Sequence, residues 1–282
     1  MCLLYRYRDI PVPDRQESAT ATLTRLAVLV VEGTTQPTNQ KKMNILIDLF
    51  DHSGNSAKPY REAGWHVIQI DIKHGVDILT WDYKKEITRA VNDNWSYSTP
   101  PKIGLLSAVP CTDYALSGAK HFAEKDADGR TAKSDLLVDK VYEIKMFVQD
   151  HWSLSFWKIE NPRSRIHTRH KWLGKITHKF NPCDYAGYTN PTADQLELLS
   201  GLSNIDMLKA KKEDLQTVID IGAYNKDTWL WGKFSIPIKN HIPSVWKENP
   251  GWRLYGGKSE RTKELRSVDP IGFCKAFFEA NH

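Results

Sequence analysis

From residue 43 onward the chain alternates between short apolar runs and amphipathic stretches. Residues 44–49 form an apolar run that predicts a buried strand. Residues 56–63 predict a helix ended by Gly64. A second strand is expected over 66–71 and a helix over 83–93. Pro100 and Pro101 break the chain before a strand at 103–108. Leu137, Val141, Ile144 and Val148 recur at helical spacing, and residues 155–159 form the next strand. Helical stretches at 193–202 and 205–219, a strand at 228–234 and a terminal helix at 270–280 complete the pattern. Strand and helix in alternation predict an α/β fold: a mostly parallel, Rossmann-like sheet with helices on both faces.

Residues 1–42 depart from this pattern. They are rich in Thr, Pro, Arg and Gln and carry one short apolar stretch. Two readings stay open for them: a tail upstream of a natural start at Met43, or a peripheral element packed on the domain. The expected organisation is an N-terminal extension (1–42), a catalytic domain with insertions (43–235) and a short C-terminal recognition segment packing back on it (236–282).

Bulk composition narrows the class of protein. Of 282 residues, 40% are hydrophobic and 26% charged, as in ordinary globular chains. A net charge of +5 suits a nucleic-acid partner without requiring one. Cys2, Cys111, Cys183 and Cys274 are widely spread, which argues for thiols in a reducing compartment, read as cytoplasmic. No apolar run reaches the roughly 18 residues of a membrane span. Residues 1–18 lack the apolar core of a signal peptide.

Three predicted strands end in groups with chemical potential. The first runs into Asp48-Leu-Phe-Asp-His-Ser-Gly-Asn55, where Gly54 lets backbone approach a ligand. The second ends in Asp71, placed to accept from ribose hydroxyls or simply to cap the next turn. Asp77-Ile78 follows in the next turn, within reach of an adenine edge. The dinucleotide pattern Gly-x-Gly-x-x-Gly is absent, which argues against NAD. The third strand ends in Ser107-Ala-Val-Pro-Cys-Thr-Asp-Tyr114. A helix start capped by Thr112 or Asp113 would favour a Cys111 thiolate. Position 117 is Ser, which excludes the tyrosine-phosphatase pattern. A fourth strand ends in Glu160-Asn161-Pro162. Burial beside Trp157 and Ile159 would disfavour an ionised Glu160 and suit it to hold a proton near neutrality.

Taken in order, these segments resemble the DNA cytosine-5 methyltransferase family, in particular its small phage and prophage members. The resemblance spans roughly residues 43–273. It implies a methyltransferase fold and S-adenosylmethionine as cofactor. Residues 48–55 resemble the first cofactor motif, and Asp48, Phe50, Asp51, Ser53, Gly54 and Asn55 are the cofactor contacts it implies there. Asp71, Ile72, Asp77, Ile78 and Pro110 are the further cofactor contacts it implies. By the same resemblance Cys111 is the nucleophile that adds to carbon 6 of cytosine, Glu160 contacts the ring, and Asn161 holds the Pro110-Cys111 loop. The segment Arg266-Ser-Val-Asp-Pro270 resembles a late Arg-x-x-Thr-Pro element. The chain departs from the family at His52, Asn55, Thr112 and Pro162. The late Gln-x-Arg-x-Arg motif is replaced by Asn225-Lys-Asp-Thr228, where Lys226 is a candidate for a substrate-anion contact. The closing Gly-Asn-Ser-Val motif is missing, and fewer than thirty residues separate Phe234 from Arg261.

Residues 151–182 carry Lys158, Arg163, Arg165, Arg169, Lys171, Lys175 and Lys179 with Trp152, Trp157 and Trp172 among them. This mixture fits phosphate neutralisation and base stacking, or a solvated face over a core. Arg163, Arg165, Lys226, Lys258 and Arg261 are the expected DNA contacts. Gly256-Gly-Lys-Ser lacks the earlier glycine and the leading strand of an ATP-binding loop. His167, His170, His178 and Cys183 fit no zinc spacing, so no metal is expected. The expected partner is DNA and the expected state a monomer, in the cytoplasm of a bacterial or phage-infected cell. Two other readings are a catalytically weak DNA-binding relative and an enzyme of the same fold acting on a free pyrimidine nucleotide.

Overall fold

The computed structural model describes residues 43–95, 100–255 and 267–282. The extension at 1–42, Lys258, Arg261, Arg266 and the Gly256-Gly-Lys-Ser loop lie outside the described residues. Six strands join in one sheet among the described residues: β1 (Ile45–Leu49), β2 (His66–Ile70), β3 (Ile103–Ala108), β4 (Leu154–Pro162), β5 (His178–Phe180) and β6 (Thr228–Lys233). Their order is β2-β1-β3-β4-β6-β5. The pairs β1–β2, β1–β3 and β3–β4 are parallel, while β6 runs antiparallel to both β4 and β5. This mostly parallel α/β sheet fits a Rossmann-like fold. All five residues of β1 are buried, because a central parallel strand is covered on both faces and so reads as a continuous apolar run.

The helices are α1 (Lys58–Glu62), α2 (Tyr83–Asn94), α3 (Phe122–Ala127), α4 (Arg130–His151), α5 (Ile166–Arg169), α6 (Ala193–Leu202), α7 (Lys212–Ile221), α8 (Gly251–Tyr255) and α9 (Ile271–Ala280). Strand alternation divides the core. Ile45, Ile47, Leu105, Ile159 and Trp231 pack with Ile87 and Val91 of α2 and with Val138, Val141, Ile144 and Val148 of α4. Leu46, Leu106, Phe156 and Leu230 pack with Tyr60 of α1 and with Phe273 and Phe277 of α9. A third cluster joins Leu199 and Leu202 of α6 to Leu215, Val218 and Ile221 of α7 and to Trp246.

Two expected helices are shorter than their apolar spacing suggests. Ser56 and Ala57 lie in a turn before α1, because the Ser56 amide donates to Asp51 Oδ2 at 3.0 Å instead of entering a helix. The stretch 205–219 is broken. Asp206 accepts from the Leu208 amide at 3.0 Å and starts a 3-10 turn, Met207–Lys209. Ala210 is then extended, and α7 begins only at Lys212. The span 193–202 is helical throughout, fixed by a capping box between Thr192 and Gln195.

The chain passes from β1 to β2 on one side and then crosses to β3 on the other. Such a reversal opens a crevice beyond the carboxyl ends of the two strands it separates. The loops after β1 and β3 flank that crevice, and β4 ends beside β3.

Candidate active site

The loop after β1 is built by Asp51. Its Oδ1 accepts from Ser53 Oγ at 2.5 Å and from the Gly54 amide at 2.9 Å, and its Oδ2 accepts from the Ser56 amide. Asp51 was expected to contact cofactor; three loop donors hold its carboxylate, and its role in the structure is to shape the turn. Phe50 adopts φ of 64°, an unusual left-handed conformation for a bulky residue. Gly54 has φ of 69°, and a Cβ there would meet Arg61 Nη1 at 3.1 Å. Glycine is therefore required there by the left-handed backbone and by close packing against Arg61 and Gln69. Asn55 Nδ2 donates to the Asp269 carbonyl at 3.2 Å, and Ser56 Oγ donates to the Asp269 carboxylate. The segment leading into α9 thus holds the turn from behind.

The other expected cofactor contacts fare differently. Asp71 Oδ1 accepts from the Lys73 amide at 2.8 Å and starts a one-turn 3-10 helix, the capping role that its position at a strand end allowed. Ile72 beside it is 69% exposed and offers an apolar contact at the end of β2. Asp77 Oδ1 accepts from the Leu79 amide at 2.9 Å. Ile78 corrects the sequence expectation: its side chain is buried in the core with Ile68 and Ile70, so an adenine edge cannot rest on it.

The thiol loop and the carboxyl strand are stitched together. The parallel register pairs Ala108 with Glu160, which sets Val109-Pro110-Cys111 beside Glu160-Asn161. Fully buried Asn161 donates from Nδ2 to the Val109 carbonyl at 2.9 Å. Asn161 was expected to hold the Pro110-Cys111 loop, and its bond reaches the residue just before that pair. Further along, the Leu116 amide donates to the Arg163 carbonyl at 3.0 Å and the Arg165 amide to the Tyr114 carbonyl at 2.9 Å. Pro110, Cys111 and Thr112 are exposed between these fastenings.

No helix begins at Cys111. Its carbonyl accepts from the Tyr114 and Ala115 amides at 3.0 and 2.9 Å, which makes a turn. Asp113 does not cap a helix, because its carboxylate pairs with Lys125 at 3.0 Å and accepts from Ser134 Oγ at 2.6 Å. Lys125 also donates to the Thr112 carbonyl at 2.5 Å. Helix-terminus stabilisation of the thiolate is therefore absent, and the turn is held by Lys125 instead.

Glu160 lies 5% exposed, and its Oε1 has no hydrogen-bond partner. Lys226 Nζ stands 3.9 Å from that oxygen. Burial raises the Glu160 carboxyl above the usual carboxylate range; Lys226 opposes this, Asp269 adds to it and Lys158 opposes it. The direction and its cause, burial, agree with the sequence expectation, but the neighbours that bury it differ. Trp157 and Ile159 point to the opposite face of β4, because side chains alternate along a strand. Glu160 shares its face with Lys158 and Phe156, beneath α1 and α9. Lys158 was read as a basic surface residue; it is instead buried and paired with Asp269 at 3.1 Å. Lys158, Asp269 and Ser56 are the site residues that sequence reasoning missed. The alternation Phe156, Lys158, Glu160 was the signal that places Lys158 on the face of Glu160.

The basic stretch is largely neutralised from within. Arg165 makes a bidentate pair with Asp126 at 2.7 and 2.8 Å and lies 3.7 Å from the Phe122 ring centroid. It was expected to contact DNA, but its charge is satisfied internally. Arg169 pairs with Asp135 at 2.5 Å, and His170 sits between Asp135 and Asp139. Arg163, Lys171, Lys175 and Lys179 are exposed, and Lys179 Nζ lies 4.5 Å from the Trp229 ring centroid. His178 bonds Tyr185 Oη at 2.8 Å and Cys183 donates to Asn225 at 3.2 Å, away from His170. Cys183, Asp184 and His241 lie close together, but Lys239 Nζ is 3.2 Å from the same Asp184 oxygen and burial pushes the Cys183 thiol up. These features oppose a cation there.

Among the described residues no helix is long and apolar enough to cross a membrane. The chain matches no protein-family model and no characterised protein.

Proposed function

We propose that this chain transfers a methyl group from S-adenosylmethionine to carbon 5 of cytosine in DNA. The reading rests on the resemblance of its ordered motifs. One structural observation carries it further: the Asn161–Val109 hydrogen bond sets an exposed thiol loop against a buried carboxyl whose proton affinity is raised. An exposed Cys and a buried, proton-retaining Glu are the two groups needed to add to a pyrimidine ring and compensate the charge that develops on it.

The crevice suits an adenosine-type donor in its chemistry. Asp71 stands at the end of β2, and exposed Ile72 beside it offers an apolar face. Asp48 is buried at the end of β1, where burial and the nearby Asp51 push its carboxyl well up. When bound, S-adenosylmethionine supplies a methyl group on a sulfonium to carbon 5. The chain's own residues do the rest. Cys111 Sγ, as thiolate, forms a bond to carbon 6, and the electrons of the 5,6 double bond gather at carbon 5. Glu160 donates a hydrogen bond or proton to ring N3 as that bond forms. Lys226, 3.9 Å from Glu160 Oε1, steadies the carboxylate that Glu160 becomes once its proton moves to N3. After transfer, a solvent water takes the carbon 5 proton, the electrons of that C–H bond re-form the 5,6 double bond, and the Sγ–carbon 6 bond breaks to release the thiolate. The base must leave a duplex to meet Cys111.

One observation favours a narrower substrate. Lys158, Arg165 and Arg169 are paired internally, which shrinks the basic surface near the site. The alternative is the same chemistry on a free pyrimidine nucleotide. Incubation of the wild type and Cys111→Ser with labelled donor separates the readings. Label in DNA, lost in Cys111→Ser, is the expected result. Label on mononucleotide alone supports the alternative, and tight DNA binding with no label at all supports a binding protein.

A further inference from the structure

Two residues below Glu160, on the same face of β4, lies a fully buried lysine. Lys158 has a side chain 2% exposed, and Asp269, at 3% exposed, meets it at 3.1 Å. The ammonium also stands 5.4 and 5.6 Å from the ring centroids of Phe273 and Phe277 on α9. An isolated cation in such a place is costly, and a partnered one is rarely better than an apolar pair for stability alone. The location invites another role.

Asp269 has two further contacts, both with the loop after β1. Its carboxylate accepts from Ser56 Oγ, and its carbonyl accepts from Asn55 Nδ2 at 3.2 Å. The chain of contacts runs from β4 through Lys158 and Asp269 to Asn55 and Ser56. It joins the proposed donor loop to the strand that carries Glu160. The ionisable groups around this junction include Glu160 and Lys158 from β4, Lys226 from the loop before β6, Tyr224 before it, Asp48 from β1, Asp51 from the loop after β1, Tyr60 and Arg61 from α1, and Asp269 and Cys274 from the α9 segment.

We propose that Lys158 and Asp269 form a positioning couple that fixes the Asn55–Ser56 turn and balances the buried charge on the Glu160 face. The couple makes one unit of the two halves of the site. Glu160 feels its two members with opposite sign, since Asp269 strengthens its hold on a proton and Lys158 weakens it. The functional meaning of this coupling rests on the reading of Glu160 as the group that meets the base.

The test reads Glu160 directly, without catalysis. The full chain is labelled with carbon-13 at glutamate carboxyls, the Glu160 signal is identified by its loss in Glu160→Gln, and its titration midpoint is followed. Lys158→Met should raise the midpoint and Asp269→Asn should lower it, each by about one pH unit, the scale of a nearby buried charge. Midpoints that stay put, or that move in the same direction, overturn the proposal. Either single variant leaves a buried charge without its partner and is at risk of misfolding. The paired variant Lys158→Met/Asp269→Leu removes both charges and keeps the apolar packing. In it, hydrogen exchange at the Gly54 and Ser56 amides should quicken about tenfold, the effect of one lost buried hydrogen bond. Wild-type exchange there overturns the proposal as well. Binding of S-adenosylmethionine to the wild type is measured in parallel. Failure of that binding would count against the methyltransferase reading and leave the midpoint and exchange results to decide the couple on their own.

Discussion

Asn161 Nδ2 donates to the Val109 carbonyl at 2.9 Å, across the gap between β4 and β3. One bond thereby joins the two loops that carry Cys111 and Glu160. Both groups are buried, so no water substitutes for either partner. Asn161→Ala should destabilise the chain by about 1–3 kcal/mol, the cost of leaving a buried acceptor unsatisfied. It should also speed alkylation of Cys111 by iodoacetamide, because the Pro110-Cys111 turn loses its anchor. Denaturant unfolding and peptide mapping after alkylation check the two effects.

The buried carboxyls give stability a signed pH dependence. The Glu160 carboxyl is raised by burial, so its contribution is fully present below the ordinary glutamate range near pH ~4.3 and is lost as pH rises through its folded value. Glu160→Gln should therefore gain on the wild type as pH rises from about 4 and level off once Glu160 ionises. Asp269 behaves in the opposite sense. Burial works against its charge, but Lys158 and Ser56 hold its carboxyl below the usual range. Its contribution is present above about pH 4 and is lost as pH falls through its folded value. Thermal unfolding across pH 3 to 8 measures both trends.

How much of this was legible in the sequence depends on how far each interaction reaches along the chain. β1 and β3 were plain, because parallel strands covered on both faces show as nearly continuous apolar runs, and β4 was marked by its aromatic and β-branched residues Phe156, Trp157 and Ile159. β5 was not, since it spans His178–Phe180 and buries only Phe180. Glu160, Asn161 and Cys111 stood out as polar groups at strand ends, and the sheet register brings them together. Lys158 and Arg165 were misread for one shared reason. Their partners, Asp269 and Asp126, lie 111 and 39 residues away, and no local pattern announces a pairing of that range. Ile78 was misread because a short Asp-Ile turn looks alike whether its apolar residue points out or in.

The two arginines that follow Glu160 should separate in nucleic-acid binding. Arg163 is exposed, while Arg165 is held by Asp126. Arg163→Ala should weaken DNA binding across sequences and reduce the slope of log affinity against log salt by about 1. Arg165→Ala should leave that slope unchanged and instead lower the melting temperature, since it loses Asp126, Thr131 and the Asp113 carbonyl together. Salt titrations by fluorescence anisotropy, beside melting curves, distinguish the pair.

The central claim is that Cys111 adds to carbon 6 of a cytosine while Glu160 engages its ring. A DNA duplex carrying 5-fluorocytosine tests it most directly, because fluorine at carbon 5 prevents the proton loss that would release the enzyme. Incubation with S-adenosylmethionine should give a covalent protein–DNA complex stable to denaturation, mapped by mass spectrometry to Cys111 and absent from Cys111→Ser. Donor and DNA both bound by the wild type, with no covalent complex formed, would contradict it.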